Sequence, residues 1–148
     1  MTDETKTRPE LFDPSFQITG SLEAYGKQWL KVQKDLEPLE ADQEATEDGF
    51  AYAGLPRILE LLRPVLQKHG IALTQAPTTT TKGAGCVTFL AAERWQLRAR
   101  LAFPMGRISP QSVGAYISYA RRYTLLALFN LARGGVRWPL VRALRVAL

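Results

Sequence analysis

The sequence predicts an α+β domain in which helices pack on a three-stranded antiparallel meander, a β-β-β-α core. Apolar residues recur at helical spacing in residues 22–36, 55–69 and 111–131. Between the second and third of these patterns lie three short β-like runs, joined by brief turn signals. A chain of 148 residues, 46% of them hydrophobic, is long enough for one such domain with a real core.

Residues 1–21 are predicted to be a flexible N-terminal arm, because they combine Pro9, Pro14 and Gly20 with polar residues and lack periodicity. The first helix follows, with Ser21 as its expected N-cap. Its apolar stripe comprises Leu22, Tyr25, Trp29, Val32 and Leu36.

The second helix is expected at residues 55–69, since Pro56 suits its first turn and Gly70 its C-terminal cap. Residues 37–48, which precede it, are rich in carboxylates. We expect a solvated loop there, and the alternative is that this segment occupies a basic groove when nucleic acid is absent.

The three β-like runs cover residues 71–80, 86–91 and 95–103. Residues 82–85, which read Lys-Gly-Ala-Gly, and residues 92–94 supply the turn signals between them. Connections this short join antiparallel neighbours, so the three runs are predicted to form a meander.

In the third run, apolar residues alternate with Arg98 and Arg100. One face of this strand is therefore predicted to enter the core while the other presents both arginines. Same-face neighbours in a strand lie about 7 Å apart, which is comparable to the phosphate spacing of a nucleic acid strand. Both arginines are candidate phosphate contacts, although structural arginines on a solvated face would give the same pattern.

A loop at residues 104–110 contains Arg107 and leads to the last helix, for which Ser109 is the expected N-cap and Pro110 the first residue. Residues 125–131, at the end of this helix, are apolar on nearly every side. That pattern predicts burial in the core or in a contact between subunits.

Tyr116, Tyr119 and Tyr123 fall on one stripe of the last helix, and Arg121 and Arg122 leave it about a quarter turn apart. Tyrosines at this spacing are common in a core, and base stacking is the alternative. The arginine pair lies near a buried boundary, where a guanidinium needs a partner. That partner is either a carboxylate of the chain or an external phosphate. We expect the pair to lie beside the basic face of the third strand.

The charge of the chain is divided between its ends. Residues 1–50 contain 12 acidic and 5 basic residues, whereas residues 51–148 contain 2 acidic and 14 basic ones. This division predicts a basic body that binds a polyanion. Cys86 is the only cysteine, no signal peptide is recognisable, and no apolar run approaches the ~20 residues of a membrane span. We therefore expect a reducing, cytoplasmic setting and no membrane partner.

The sequence offers little for catalysis, so neither enzymatic activity nor a metal or cofactor is predicted. His69 is the only histidine and is expected to complement a helix dipole. One His and one Cys cannot form a zinc site. The basic part has only Glu60 and Glu93, too few for a two-metal nuclease. Residues 82–85 lack the spacing of a Walker A loop, so ATP-driven activity is not expected.

Two blocks of the sequence are distinctive: AYAGLPRILELLRPVLQKHGIALTQ at residues 51–75 and QSVGAYISYARRYTLLALFNLA at residues 111–132. The second block, with its SYARRY motif, is the more specific. Both resemble the signature blocks of the Erf (essential recombination function) family of phage single-strand annealing proteins. With the weaker first helix included, the resemblance covers residues 22–132.

The resemblance implies an ATP-independent protein of phage or prophage homologous recombination in the cytoplasm of a bacterial host. Such a protein binds single-stranded DNA, anneals complementary strands and assembles into homo-oligomeric rings or filaments. It also implies a β-β-β-α core similar to that of the ring-forming eukaryotic strand-annealing mediator. Further expected partners are a host or phage single-strand-binding protein or an exonuclease. Residues 22–133 would then be the single-strand annealing domain.

Two segments depart from the family pattern. Residues 134–148 begin with two glycines and continue with arginines, where the family has an acidic run. We expect an atypical basic C-terminal tail there, produced by a truncated or frame-altered end. Residues 47–50 read Glu-Asp-Gly-Phe, where the family has a basic segment.

The basic and aromatic residues predict how such a protein would act. Cations that neutralise phosphates release counterions and relieve the repulsion between two strands. Aromatic faces can hold unpaired bases at about 1–3 kcal/mol each, so annealing on such a surface needs no cofactor. The candidate DNA-binding residues are Arg98, Arg100, Arg107, Arg121, Arg122, Lys82, Tyr119 and Tyr123.

Two other functions are compatible with the sequence. A double-stranded-RNA-binding module also has the order helix, three-stranded meander, helix, but it usually carries a lysine cluster at the start of its last helix. Here the last helix begins with Pro110 and polar or small residues. The other alternative is a non-enzymatic adaptor or structural protein whose basic surface binds an acidic partner.

Overall fold

The computed structural model describes residues 15–40, 43–44, 51–80, 83–106 and 109–131. The remainder of the predicted arm and the predicted basic tail lie outside the described residues. In chain order the elements are β1 (Phe16–Gly20), α1 (Leu22–Asp35), β2 (Gln43–Glu44), β3 (Ala51–Tyr52), α2 (Leu55–Lys68), β4 (Ala72–Thr80), β5 (Gly83–Ala91), β6 (Trp95–Pro104) and α3 (Pro110–Leu128).

Four of the strands form one antiparallel sheet in the order β1-β6-β5-β4. The predicted α+β class is confirmed. The strands β4, β5 and β6 pair consecutively, as expected of a meander, but β1 adds a further strand at the β6 edge. The prediction of a three-stranded sheet is therefore wrong in the number of strands. The short strands β2 and β3 pair only with each other.

Strand β1 lies within the segment predicted to be a flexible arm, and that prediction is wrong for Phe16–Gly20. Phe16 and Ile18 alternate with Gln17 and Thr19, which is a strand pattern too short to stand out within a polar segment. The pairing partner of β1 is the first half of β6, far away in sequence. Gly20 turns the chain from β1 into α1 with a φ of +91°, in the region that favours glycine. The amide of Ser21 then donates a hydrogen bond of 2.9 Å to the carbonyl of Arg94.

Strand β5 begins at Gly83, where a turn had been predicted over residues 82–85. A Cβ atom on Gly85 would lie 1.9 Å from the carbonyl oxygen of Leu101 on β6. The absence of a side chain therefore permits a close approach of two strands. The prediction of a turn is wrong for Gly83, Ala84 and Gly85, which all lie in β5, because glycine serves strand packing as well as turns.

The helices bury one face of the sheet. Every second residue of β5 and β6 points towards the helices. Leu90, Trp95 and Leu97 are examples, and they belong to one core cluster with residues of all three helices. The side chains of the intervening residues lie on the opposite face of the sheet, as the alternating burial along β6 shows. Leu39, which lies in the segment predicted to be a solvated loop, is only 1% exposed and joins this core.

A pair of partly buried hydrogen bonds joins α1 to β6 and to the end of α2. The indole nitrogen of Trp95 donates to the amide oxygen of Gln28 at 2.8 Å. The amide nitrogen of Gln28 donates in turn to the carbonyl of His69. Around them, Trp29 stacks on Phe129 with ring centroids 5.0 Å apart. Gln28 therefore satisfies a donor that would otherwise be buried without a partner.

His69 lies at the C-terminus of α2, as expected, and is followed by Gly70 with a φ of +66°. It also makes an unpredicted contact with α1. Its Nε2 lies 2.7 Å from a carboxylate oxygen of Asp35, which also accepts a hydrogen bond of 2.8 Å from Lys68. These contacts hold the pKa of Asp35 below its ordinary value, first through the bond from Lys68 and then through His69. The only histidine thus joins two helices.

The start of α3 and its N-cap were predicted correctly, whereas the predicted end of the helix was wrong. Ser109 accepts from the amide of Ser112, and the Ser112 side chain completes a capping box. The helix ends at Leu128, short of the predicted residue 131. Asn130 has a φ of +49°, and the amide of Leu131 donates back to the carbonyl of Leu126 at 3.0 Å. A left-handed asparagine therefore ends the helix.

Candidate nucleic-acid interface

The exposed side of α3 carries an aromatic and basic row formed by Tyr119, Arg122 and Tyr123. The two tyrosine rings are stacked with centroids 6.3 Å apart, and they are 49% and 47% exposed. The guanidinium carbon of Arg122 lies 5.6 Å from the first ring centroid and 5.0 Å from the second. Cation–π contact of this kind holds a cation beside exposed aromatic faces.

This row continues towards the end of β6. The ring of Phe103 lies 5.9 Å from that of Tyr116 and 6.4 Å from that of Tyr123. Phe103 and Tyr116 are half-buried, whereas Tyr123 is exposed. The half-buried rings of Phe103 and Tyr116 therefore pack beneath the exposed ring of Tyr123. The predicted tyrosine stripe thus has a packed part and an exposed part.

Arg121 points away from this row, towards β4. Its Nε donates to the amide oxygen of Gln75 at 3.2 Å, and its own carbonyl accepts from the amide nitrogen of Gln75 at 3.2 Å. The same nitrogen also donates to the hydroxyl of Thr88 at 2.9 Å. The alternative of a carboxylate partner for Arg121 is not realised among the described residues. A glutamine amide orients the guanidinium instead.

Arg121 reaches a cleft between α2, β4 and α3. The cleft has two adjoining parts of about 400 and 590 Å³. Leu59, Arg63 and Arg121 line both parts, and Gln75 lines the smaller one. Arg63, which sequence reasoning did not select, is exposed on α2. The position of Arg63 in α2 does not indicate a binding residue, because only the tertiary packing brings Arg63 near α3.

The arginines of β6 lie on the other face of the sheet. Leu97 and Ala99 are buried against the helices, so Arg98 and Arg100 project from the opposite side. The expectation that the α3 arginines lie beside this basic face is wrong, because the sheet separates them. Phe89, which is 41% exposed and directly opposite Arg98 in the register, was also missed.

The remaining predicted contacts, Lys82 and Arg107, lie outside the described residues. The structure thus divides the described candidates into three groups: the exposed row on α3, the cleft at Arg121 and the outer face of β6. Within the described part of the chain, no three His, Cys, Asp or Glu side chains converge as metal ligands. No described helix is both long and apolar enough to cross a membrane.

The family model described as the ERF superfamily matches residues 26–134 of the chain. The matched range extends from within α1 to just beyond α3. It leaves out β1 but contains the row and the cleft. No curated protein and no solved structure matches the chain.

Proposed function

The chain belongs to the ERF superfamily, and from this premise we propose that it is an ATP-independent protein that binds and anneals single-stranded DNA in phage or prophage homologous recombination. The observation that carries the proposal is the exposed row of Tyr119, Arg122 and Tyr123 on α3. Two accessible aromatic faces beside a guanidinium combine the groups that contact unpaired bases and phosphates.

The row suits single strands better than duplexes. The bases of a duplex are stacked on each other, so their faces are not accessible to a tyrosine ring. An unpaired base can stack on such a ring, at about 1–3 kcal/mol for each base. The preformed stack of Tyr119 and Tyr123 reduces the side-chain entropy that binding would cost.

Annealing on this surface requires no catalytic group. Base pairing provides the free energy, and arginines that neutralise phosphates lower the repulsion between the two incoming strands. The proposed role is therefore non-enzymatic. Its proposed setting is the cytoplasm of a phage-infected or lysogenic bacterium, with a single-strand-binding protein or an exonuclease as further partners.

We also propose that copies of the chain assemble through the edges of the sheet. Within the described residues, β1 and β4 are the two edge strands. All neighbours in the four-stranded sheet are antiparallel, so β1 and β4 run in opposite directions. Copies in the same orientation can therefore place β1 of one copy antiparallel to β4 of the next. Repetition of this contact generates a ring if it closes and a filament if it does not.

The edge amides of β1 can be assigned. The amide of Arg100 donates to the carbonyl of Ser15 at 2.7 Å, so residue 15 faces β6. Because adjacent residues of a strand point their amides to opposite sides, the amide of Phe16 faces the open edge.

Phe16→Pro should remove that donor, whereas Phe16→Val should keep it. In light scattering, we expect oligomers for the wild type and Phe16→Val and smaller species for Phe16→Pro. A monomeric wild type would contradict the assembly.

The annealing function is tested with complementary DNA strands in the absence of ATP. The wild type should accelerate their pairing, and Tyr119→Ala with Tyr123→Ala should weaken single-strand binding by tenfold or more, about the loss of one stacked base. Leu30→Ala is the control, since Leu30 is 68% exposed and lies on α1 rather than on the helix that carries the row.

Titrations with single-stranded DNA, duplex DNA and duplex RNA separate the alternatives. A preference for single strands supports the proposal. A preference for duplex RNA would favour the RNA-binding module, and the absence of binding to any nucleic acid would favour the adaptor.

A further inference from the structure

We propose that the cleft between α2, β4 and α3 binds one phosphodiester of single-stranded DNA between Arg63 and Arg121, with a base in each of its two parts. This inference rests on the proposed function, because it assigns a subsite for the same ligand. It concerns a surface separate from the aromatic row, since neither Tyr119 nor Tyr123 lines the cleft.

The position of the two cations favours an anion where the two parts of the cleft meet. Arg63 and Arg121 both line both parts of the cleft, so they stand at the junction between them. They come from different helices, and α2 and α3 pack directly on each other. Two guanidinium groups that converge from separate helices can clamp an anion from two sides.

The two guanidinium groups have donors available for an anion. Arg63 makes no ion pair among the described residues and is exposed. Arg121 uses its Nε on Gln75, and within the described residues its two terminal nitrogens have no partner. Gln75 therefore fixes the direction of Arg121 and leaves its fork-shaped end available, the arrangement that favours bidentate contact with phosphate.

The walls of the cleft favour a base on either side of the phosphate. Apart from the two arginines, the lining of both parts includes apolar side chains, with Leu66, Ile71 and Leu73 on one side and Leu55 and Pro56 on the other. Apolar surface on either side of a phosphate site suits unpaired bases, which have apolar faces. A simple inorganic anion would leave these walls without a partner.

One carboxylate lies in the cleft and has its own counterion. Glu60 lines the larger part, and its carboxylate accepts a hydrogen bond of 3.1 Å from Arg57. This ion pair joins two residues in the first turns of α2. The local charge balance of Arg57, Glu60, Arg63 and Arg121 therefore remains positive, so the cleft attracts an anion.

Arg63→Gln tests the cation at the junction. It removes one charge at an exposed helical position, so the fold should be retained. The affinity for an oligothymidylate should fall, and the magnitude of the slope of log K against log salt should decrease by about 0.7, the value for one phosphate contact on a single strand. Arg94→Gln is the matched control: it removes the same charge from an exposed turn outside the cleft and should leave the slope unchanged.

Protection of an introduced thiol provides a second, independent readout. Gln67 is exposed and lines the smaller part of the cleft, whereas Gln33 is exposed on α1 outside it. The native Cys86 is buried. Oligothymidylate should slow maleimide labelling of the thiol introduced by Gln67→Cys and leave that of Gln33→Cys unchanged. An abasic oligomer of the same length should protect less, because it has no bases for the apolar walls.

The outcomes separate this inference from the proposed function. Slope loss confined to Arg63→Gln together with protection confined to Gln67→Cys supports the cleft. If the wild type binds oligothymidylate but neither effect occurs, the cleft is overturned and the proposed function stands. If the wild type does not bind single-stranded DNA, both are overturned.

Discussion

The side-chain amide of Gln75 holds Arg121 at two points, because it accepts from the guanidinium Nε and donates to the backbone carbonyl, each at 3.2 Å. The third contact of this amide is the buried hydroxyl of Thr88. Gln75 of β4 thus connects α3 to β5. It also sets the direction of the Arg121 guanidinium, whereas the sequence identifies Arg121 only as one of two adjacent arginines.

Gln75→Ala should destabilise the fold by about 1–2 kcal/mol, since it leaves the hydroxyl of Thr88 without this partner and frees Arg121. Urea unfolding measures this change, with Gln96→Ala on the exposed face of β6 as the control. The same variant should weaken single-strand binding. Equal free energies of unfolding for the two variants would show that the amide has no structural role.

Two glycines should respond to alanine in opposite directions. In Gly85→Ala, the new Cβ would lie 1.9 Å from the carbonyl oxygen of Leu101, so β5 and β6 must separate. We expect a loss of roughly 3 kcal/mol or more, as for severe overpacking. Gly26→Ala is the matched control, because nothing lies within 4 Å of its Cβ position in α1. It should stabilise the protein by about 0.5–1 kcal/mol. Thermal unfolding would reveal both signs, and a stabilising Gly85→Ala would contradict the close approach.

The contact between Asp35 and α2 should make stability depend on acid pH. The pKa of Asp35 is lowered from its ordinary value of 3.8, first by the hydrogen bond from Lys68 and then by that from His69. Because the folded state binds this proton less readily, the contribution of Asp35 is fully present above about pH 3.8 and is lost as the pH falls through the folded pKa.

Asp35→Asn should therefore reduce the loss of stability in this acid range. Unfolding by urea at a series of pH values measures the dependence. Glu40→Gln serves as the control, since Glu40 is exposed and makes no ion pair among the described residues. If the two variants had the same pH profile as the wild type, the helix contact would not contribute to the acid transition.

Gln28→Leu should destabilise the core although it replaces a polar residue by an apolar one. The indole N–H of Trp95, which is only 2% exposed, would lose its acceptor at 2.8 Å. A buried donor without a partner costs about 1–3 kcal/mol. Gln33→Leu on the exposed side of α1 should have little effect on the unfolding midpoint. A Gln28→Leu variant as stable as the wild type would indicate that the indole finds another acceptor.

Much of the fold and part of the candidate site could be predicted from local pattern. Helical spacing placed all three helices, and Ser21 and Ser109 were identified as caps because capping acts within one turn. The stripe of Tyr119 and Tyr123 follows from helix geometry alone, and their rings are stacked as neighbours at this spacing should be.

The sequence by itself determined the elements with strong local signals: the helices, their N-caps, the alternation of β6 and the tyrosine stripe. The tertiary structure alone decided what depends on long-range pairing. It added β1 to the sheet, placed the basic residues of β6 and α3 on opposite sides of it, and brought Arg63 towards Arg121. The physical reason is that helix and strand periodicity act over a few residues, whereas strand pairing and helix packing join residues that are tens of positions apart.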